Sequence, residues 1–230
     1  MWFKRLYSFS SILDLRDYAK GKRYSKIKND IRSSVKIAII DDQKFLARPN
    51  LSTYGYNIVE LPDIRSVTEI KDFDIILCDL MGVGKSFDQA IGGASIIKEI
   101  KQNYPTKIVI AYTAARANTS EASVAKEFAD DFLKKDTEIS KWVERLDDAI
   151  EVASDPYRRW LVARQGLLDE EVDIRRLVEL ESAYVKSVLD SDKSFSKLTE
   201  AMAAMNLGTH ASGIIQGLVS SAIYSLIFSK

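Results

Sequence analysis

Apolar, β-branched runs recur through the first two thirds of this chain, IAII at 37–40, IILC at 75–78 and KIVIAY at 107–112, with stretches of helical period between them. Runs that are apolar on both alternating faces are buried on both, and a parallel sheet flanked by helices is the arrangement that buries strands this way. Five strands are predicted, at 35–41, 57–61, 74–79, 107–112 and 131–134. The crossover helices fall between and after them. Segment 63–72 opens with an Asp63 cap after Pro62, and 92–105 sets Ile96, Ile97 and Ile100 on one face. A helix over 119–129 follows Thr113, and 137–153 spaces Ile139, Trp142, Val143, Leu146 and Ile150 for a core. The fold class is α/β, a doubly wound parallel sheet.

Asp155-Pro156 interrupts this alternation, because the residue before a proline is pushed out of helical geometry. Beyond it no strand pattern remains. Helices are predicted at about 157–167, 170–190, 193–206 and 211–228, with Trp160, Leu161, Leu167, Leu168, Leu177, Leu180, Tyr184, Val188 and Leu189 as core. The last helix carries Gly213, Gly217, Ser221 and Ser225 at every fourth position, a spacing that lets helix backbones approach closely in a bundle or dimer. The chain thus divides into 1–34, 35–154 and an all-α 155–230.

Charge is balanced overall, 33 Lys and Arg against 33 Asp and Glu, but it is unevenly distributed. Residues 1–34 hold nine basic against three acidic residues, a net +6; 35–154 are net −5 and 155–230 net −1. The basic start reads as an amphipathic helix over 2–32, with Trp2, Phe3, Leu6, Tyr7, Phe9, Leu13 and Tyr18 on its apolar side. It packs on its own protein or makes a peripheral membrane contact. The acidic middle suits a divalent cation. A single cysteine, Cys78, excludes an internal disulfide, reads as an inert core thiol, and with the absence of a secretion signal points to the cytoplasm. The net-negative C-terminal segment offers no basic recognition helix, which argues against a nucleic-acid output. Its His210 has no catalytic neighbours and reads as a cap or loop residue.

Four strands end in residues that chemistry uses: Asp41 and Asp42 after the first, Asp79 at the third, Thr113 at the fourth and Lys135 after the fifth. Ligands of open parallel sheets gather outside the carboxyl ends of the strands, so these side chains converge there. In this set, residues 35–153 resemble the response-regulator receiver (CheY-like) domain of two-component signalling. The resemblance implies strand order 2-1-3-4-5, the receiver or flavodoxin-like arrangement. It implies Mg2+ held by Asp41, Asp42, Asp79 and the Met81 carbonyl, and phosphorylation of Asp79. Thr113 and Lys135 would contact the phosphoryl group, with Phe132 as the aromatic switch residue. The implied partners are a histidine kinase or phosphotransfer protein, and a homo-oligomer or protein partner engaged through the C-terminal helices. Such a phosphoacceptor catalyses at most its own phosphorylation and dephosphorylation.

Three departures qualify the resemblance. Asp136 stands where the family has proline, so the cis peptide expected there is lost; the segment 80–93 is long and glycine-bearing; and the helix between Asp42 and Tyr56 is short and contains Pro49. The segment also contains DLMGVGKS, which looks like a nucleotide phosphate loop. That motif needs glycine where Asp79 stands and a helix starting at Lys85-Ser86, and a carboxylate there would repel phosphates; those two residues are expected at the mouth of the acidic pocket instead. The alternative reading is a receiver-shaped adaptor that binds partners without being phosphorylated.

Overall fold

The computed structural model describes residues 10–16, 18, 28–114, 120–219, 223–224 and 228. Strands β1 (Lys36–Ile40), β2 (Asn57–Leu61), β3 (Ile75–Asp79), β4 (Ile108–Thr113) and β5 (Asp131–Lys134) form one parallel sheet in the order β2-β1-β3-β4-β5. This is the receiver, or flavodoxin-like, arrangement, joined here to an all-α C-terminal region. Each strand lies within one residue of its predicted bounds. The register sets Ile40 beside both Leu61 and Cys78, Asp79 beside Tyr112, and Thr113 beside Lys134. The carboxyl ends of β1, β3, β4 and β5 are therefore level, and chain order reverses between β1 and β3, where such sheets open a crevice.

Alternation along the strands sorts the core. Ile37, Ile39, Ile75, Leu77, Ile110, Tyr112 and Leu133 share one face with Ile31 of α1 (Lys28–Ser34), Leu51 of α2 (Arg48–Thr53) and Trp142, Leu146 and Ile150 of α5 (Ile139–Ala153). Ala38, Ile40, Ile76, Cys78, Val109 and Ala111 share the other with Ile96, Ile97 and Ile100 of α3 (Gly93–Asn103) and Ala122 and Ala125 of α4 (Ser120–Phe128). Each large side chain buried in this way contributes roughly 1.5–3 kcal/mol.

The segment between β2 and β3 departs from expectation. Only a 3-10 turn forms, Val67–Ile70, capped by Ser66 and Glu69 in a reciprocal box. Asp63 does not cap it: its carboxylate accepts the N–H groups of Ile64 and Gly84 instead. The basic N-terminus is likewise not one helix where it is described. Ile12–Leu15 is a 3-10 turn closed by Ser11 and Asp14. Ser10 and Ile12 donate their N–H groups to Ser182 Oγ at 3.2 Å and Glu181 Oε1 at 3.1 Å. Trp2, Phe3, Leu6, Tyr7 and Phe9 lie outside the described residues, as do Ser221 and Ser225. Helix α1 is pinned to α5 by Arg32, whose guanidinium pairs in bidentate fashion with Asp147 at 2.8 and 2.6 Å.

Asp155 accepts the N–H groups of Tyr157 and Arg158, and Pro156 occupies the first turn of α6 (Pro156–Asp169). Helices α7 (Ile174–Leu189), α8 (Ser196–Met205) and α9 (Thr209–Val219) follow. Trp160, Leu167, Leu177, Leu180, Tyr184 and Val188 are core as predicted, and they join the same apolar cluster as the α5 face of the sheet. Leu161, Leu168 and Leu189 are not core; they are 36, 38 and 48% exposed. Of the small-residue stripe only Gly213 and Gly217 are among the described residues. A side chain on Gly213 would meet nothing within 4 Å, while one on Gly217 would meet Tyr104 of the sheet region at 3.3 Å. No helix among the described residues is long and apolar enough to cross a membrane.

The helical region is anchored at the amino ends of the strands. Arg159 of α6 is buried, donates to the carbonyls of Ala153 at 3.3 Å and Leu218 at 3.2 Å, and lies 3.8 Å from the carboxylate of Asp74, which precedes β3. Beside it Lys107, which precedes β4, gives its ammonium to the carbonyls of Lys71 and Phe73.

Candidate functional site

At the opposite, carboxyl ends, the peptide geometry of β1, β3, β4 and β5 delivers the polar side chains of the site. Strand parity sends Asp41, Asp79, Tyr112 and Lys135 to the α5 face and Thr113 to the α3–α4 face with Phe132. Lys135 closes the centre: its ammonium donates to Asp41 Oδ2 at 2.9 Å and Asp79 Oδ2 at 2.6 Å. Its backbone N–H bonds the Thr113 carbonyl at 3.0 Å, which fixes the lysine loop to the end of β4. The peptide bonds of the described residues are trans, that between Lys135 and Asp136 included. The ammonium reaches the carboxylates in that setting.

Asp41, Asp42 and Asp79 each offer a carboxylate oxygen within 4.8 Å of the others. Asp41 and Asp79 are buried, at 6 and 2% exposure, and Asp42 is exposed. Three carboxylates cluster with one ammonium, which bonds Asp41 and Asp79, so a formal excess of negative charge remains, and hard oxygen donors at this separation suit a divalent cation. The local electrostatics agree. Burial raises the Asp79 carboxyl above its ordinary value even though the bonds from Lys135 and the Met81 N–H pull it down. Burial works against charge on Lys135 too, but there the bonds to Asp79 and Asp41 prevail and raise it. Met81 lies at the rim with its N–H on Asp79 Oδ1 at 3.3 Å. Thr113 is buried at the end of β4, and Phe132 is half-buried with the Lys126 ammonium 5.7 Å from its ring.

Three contributors were not assigned to the site from the sequence. The Tyr112 hydroxyl donates to Asp41 Oδ2 at 2.8 Å, and burial, then Asp41, push its phenol far above the ordinary value. Gly82, at φ +85°, leaves room for Asp42: a Cβ there would lie 2.3 Å from the Asp42 carboxylate carbon. Asp63 holds the Gly84 N–H and so the start of the long loop. That loop is built rather than slack. Val83 is buried, Ser86 Oγ donates to the Ile64 carbonyl, and Gly93 packs so tightly that a Cβ would sit 1.8 Å from the Asp79 carbonyl oxygen. Of the two residues expected at the pocket mouth, Lys85 is exposed, while Ser86 turns to the β2–β3 connection. The helix after the loop begins at Gly93, not at Lys85-Ser86, so the phosphate-loop likeness ends with the letters. Cys78 is fully buried, and its thiol is pushed well up by burial and then by Asp79, as an inert core thiol should be.

No family model matches the sequence, and no curated protein matches it. Among solved structures the chain is similar to a response regulator from Thermotoga maritima, with 19% identity over 51% of this chain and 98% of that one, at a TM-score of 0.42. It is also similar to a CheY-like receiver domain protein from Methanospirillum hungatei, with 17% identity over 53% and 97% of the two chains and a TM-score of 0.44. A third, the beryllofluoride-activated receiver domain of RstA from Klebsiella pneumoniae, has 18% identity over 50% and 97%, with a TM-score of 0.43.

Proposed function

We propose that the protein is a response regulator of a two-component phosphorelay, with 35–154 as receiver and 155–230 as a helical, non-DNA-binding output region. Asp79 is the phosphoacceptor. The observation that carries this reading is the convergence of Asp41, Asp42 and Asp79 within 4.8 Å, with the Lys135 ammonium bonded to Asp41 and Asp79. In the transfer, a bond forms between a carboxylate oxygen of Asp79 and phosphorus. The bond from phosphorus to the donor nitrogen or oxygen breaks, and its electron pair leaves with the donor. A carboxylate is a weak nucleophile toward an anionic phosphorus, so positioning and charge neutralisation make up nearly all of the catalysis. Asp41, Asp42, Asp79 and the Met81 carbonyl would hold Mg2+, which neutralises the oxygens on phosphorus when bound. Lys135 trades its bond to Asp79 for one to the incoming phosphoryl group, and Thr113 donates to another of its oxygens. A histidine kinase or phosphotransfer protein supplies the group.

The alternative, a phosphorylation-independent adaptor, draws on one observation: Lys135 bridges both buried carboxylates, as a purely structural ion pair would. Intact mass after incubation with Mg2+ and acetyl phosphate separates the two. One added phosphoryl group in the wild type and none in Asp79→Ala is expected; a wild type that gains none, with or without Mg2+, leaves the adaptor.

A further inference from the structure

We propose that Tyr112 is the positioning residue that keeps Asp41 in place while Lys135 is handed over to the phosphoryl group. This deepens the reading above and rests on it. Asp41 Oδ2 has two donors, the Lys135 ammonium at 2.9 Å and the Tyr112 hydroxyl at 2.8 Å, while Oδ1 accepts the Gln43 N–H at 2.9 Å. When the lysine leaves, the buried Oδ2 loses one of its two hydrogen-bond donors, even where Asp41 also helps hold the cation. A buried charged oxygen stripped of its partner is costly, whereas one that keeps a donor is not. Tyr112 supplies that donor.

Its direction is fixed by packing. The ring is fully buried and meets Phe45 and Trp142 edge to face, with centroids 5.5 and 5.9 Å away, and the Lys135 ammonium sits 5.4 Å from its centroid on the site side. The hydroxyl therefore points at Asp41 whether or not the lysine is present. Removing it leaves Lys135 as the single donor to Oδ2, so Asp41 holds the lysine back and the phosphoryl group finds it less available.

Tyr112→Phe tests this, because it keeps the ring and its contacts and deletes one oxygen. Beryllofluoride, which bonds to the acceptor carboxylate as a phosphoryl mimic, is titrated at saturating Mg2+ and followed by 19F NMR, with thermal melts confirming that both proteins are folded. The expected result is an apparent affinity about tenfold weaker in the variant, the size of one lost hydrogen bond to a charged group. The Gln43 amide resonance should also move in the cation-free variant, since Gln43 is bonded to the carboxylate that shifts. Packing alone predicts neither change. A variant that binds beryllofluoride as tightly as the wild type overturns the role of Tyr112 and leaves the proposed function standing. A wild type that does not bind it overturns both.

Discussion

Replacing Arg159 with alanine should destabilise the protein by more than any surface change, and the structure gives the size. The guanidinium is 3% exposed and lies 3.8 Å from the equally buried Asp74 carboxylate. At an effective permittivity near 20, a unit pair at that separation interacts by about 4 kcal/mol. Two buried carbonyls, those of Ala153 and Leu218, lose a donor as well, at about 1 kcal/mol each. Against this stands the cost of holding a guanidinium out of water, which the variant no longer bears. Breaking one side of a buried pair typically leaves a net loss of about 3–5 kcal/mol. Urea unfolding followed by far-UV circular dichroism and by tryptophan fluorescence measures it. A midpoint change equivalent to under ~1 kcal/mol would refute the claim that this pair ties the helices to the sheet, because surface-like pairs are worth that little.

Two further predictions concern single groups. Burial lowers the Lys107 ammonium to about 8, with Asp74 opposing and Arg159 reinforcing the shift. Folding therefore favours the neutral amine, the penalty of the charged form is fully present below pH 8, and stability from this group rises between pH 8 and about 10.4 by roughly 3 kcal/mol at most; a melting profile over that range in which Lys107→Gln rises as steeply as the wild type would contradict it. Gly82→Ala should weaken Mg2+ binding at least about tenfold by displacing Asp42, with a melting loss near the ~1–2 kcal/mol expected of a left-handed alanine; calorimetric titration with Mg2+ giving an unchanged affinity would show that Asp42 has no part in holding the cation.

The sheet was legible because β-branched runs buried on both faces have few other folds open to them, and Asp41, Asp79 and Lys135 were legible because strand ends in such a sheet are where side chains converge. What was missed depends on facts that local pattern does not contain. The role of Tyr112 rests on the register of β4 against β1, two strands that are not neighbours in the sheet. Segment 63–72 was read with Asp63 as its cap, but Asp63 is committed to Gly84, and the box of Ser66 and Glu69 that does form closes only a 3-10 turn. Leu161 and Leu168 share a helix with core residues, and periodicity marks a face without saying what covers it.

The geometry also limits how the proposed switch can speak to the helices. Asp79 lies at the carboxyl ends of the strands and Arg159 anchors helix α6 at their amino ends, so this anchor is at the far end of the sheet from the proposed acceptor. Helix α5 runs between the two. Its first turn carries Trp142 against the Tyr112 ring, and its last residue, Ala153, gives its carbonyl to Arg159. At 1.5 Å per residue its 15 residues span about 22 Å, and were it to move as a rigid piece, a small shift beside Tyr112 would be delivered to the start of α6 with only Ser154 and Asp155 between. On this account the Arg159→Ala protein keeps an intact acceptor and loses the far anchor. Asp79 should still take up phosphate in it under conditions where the fold holds, while any phosphate-dependent change in the helical region disappears.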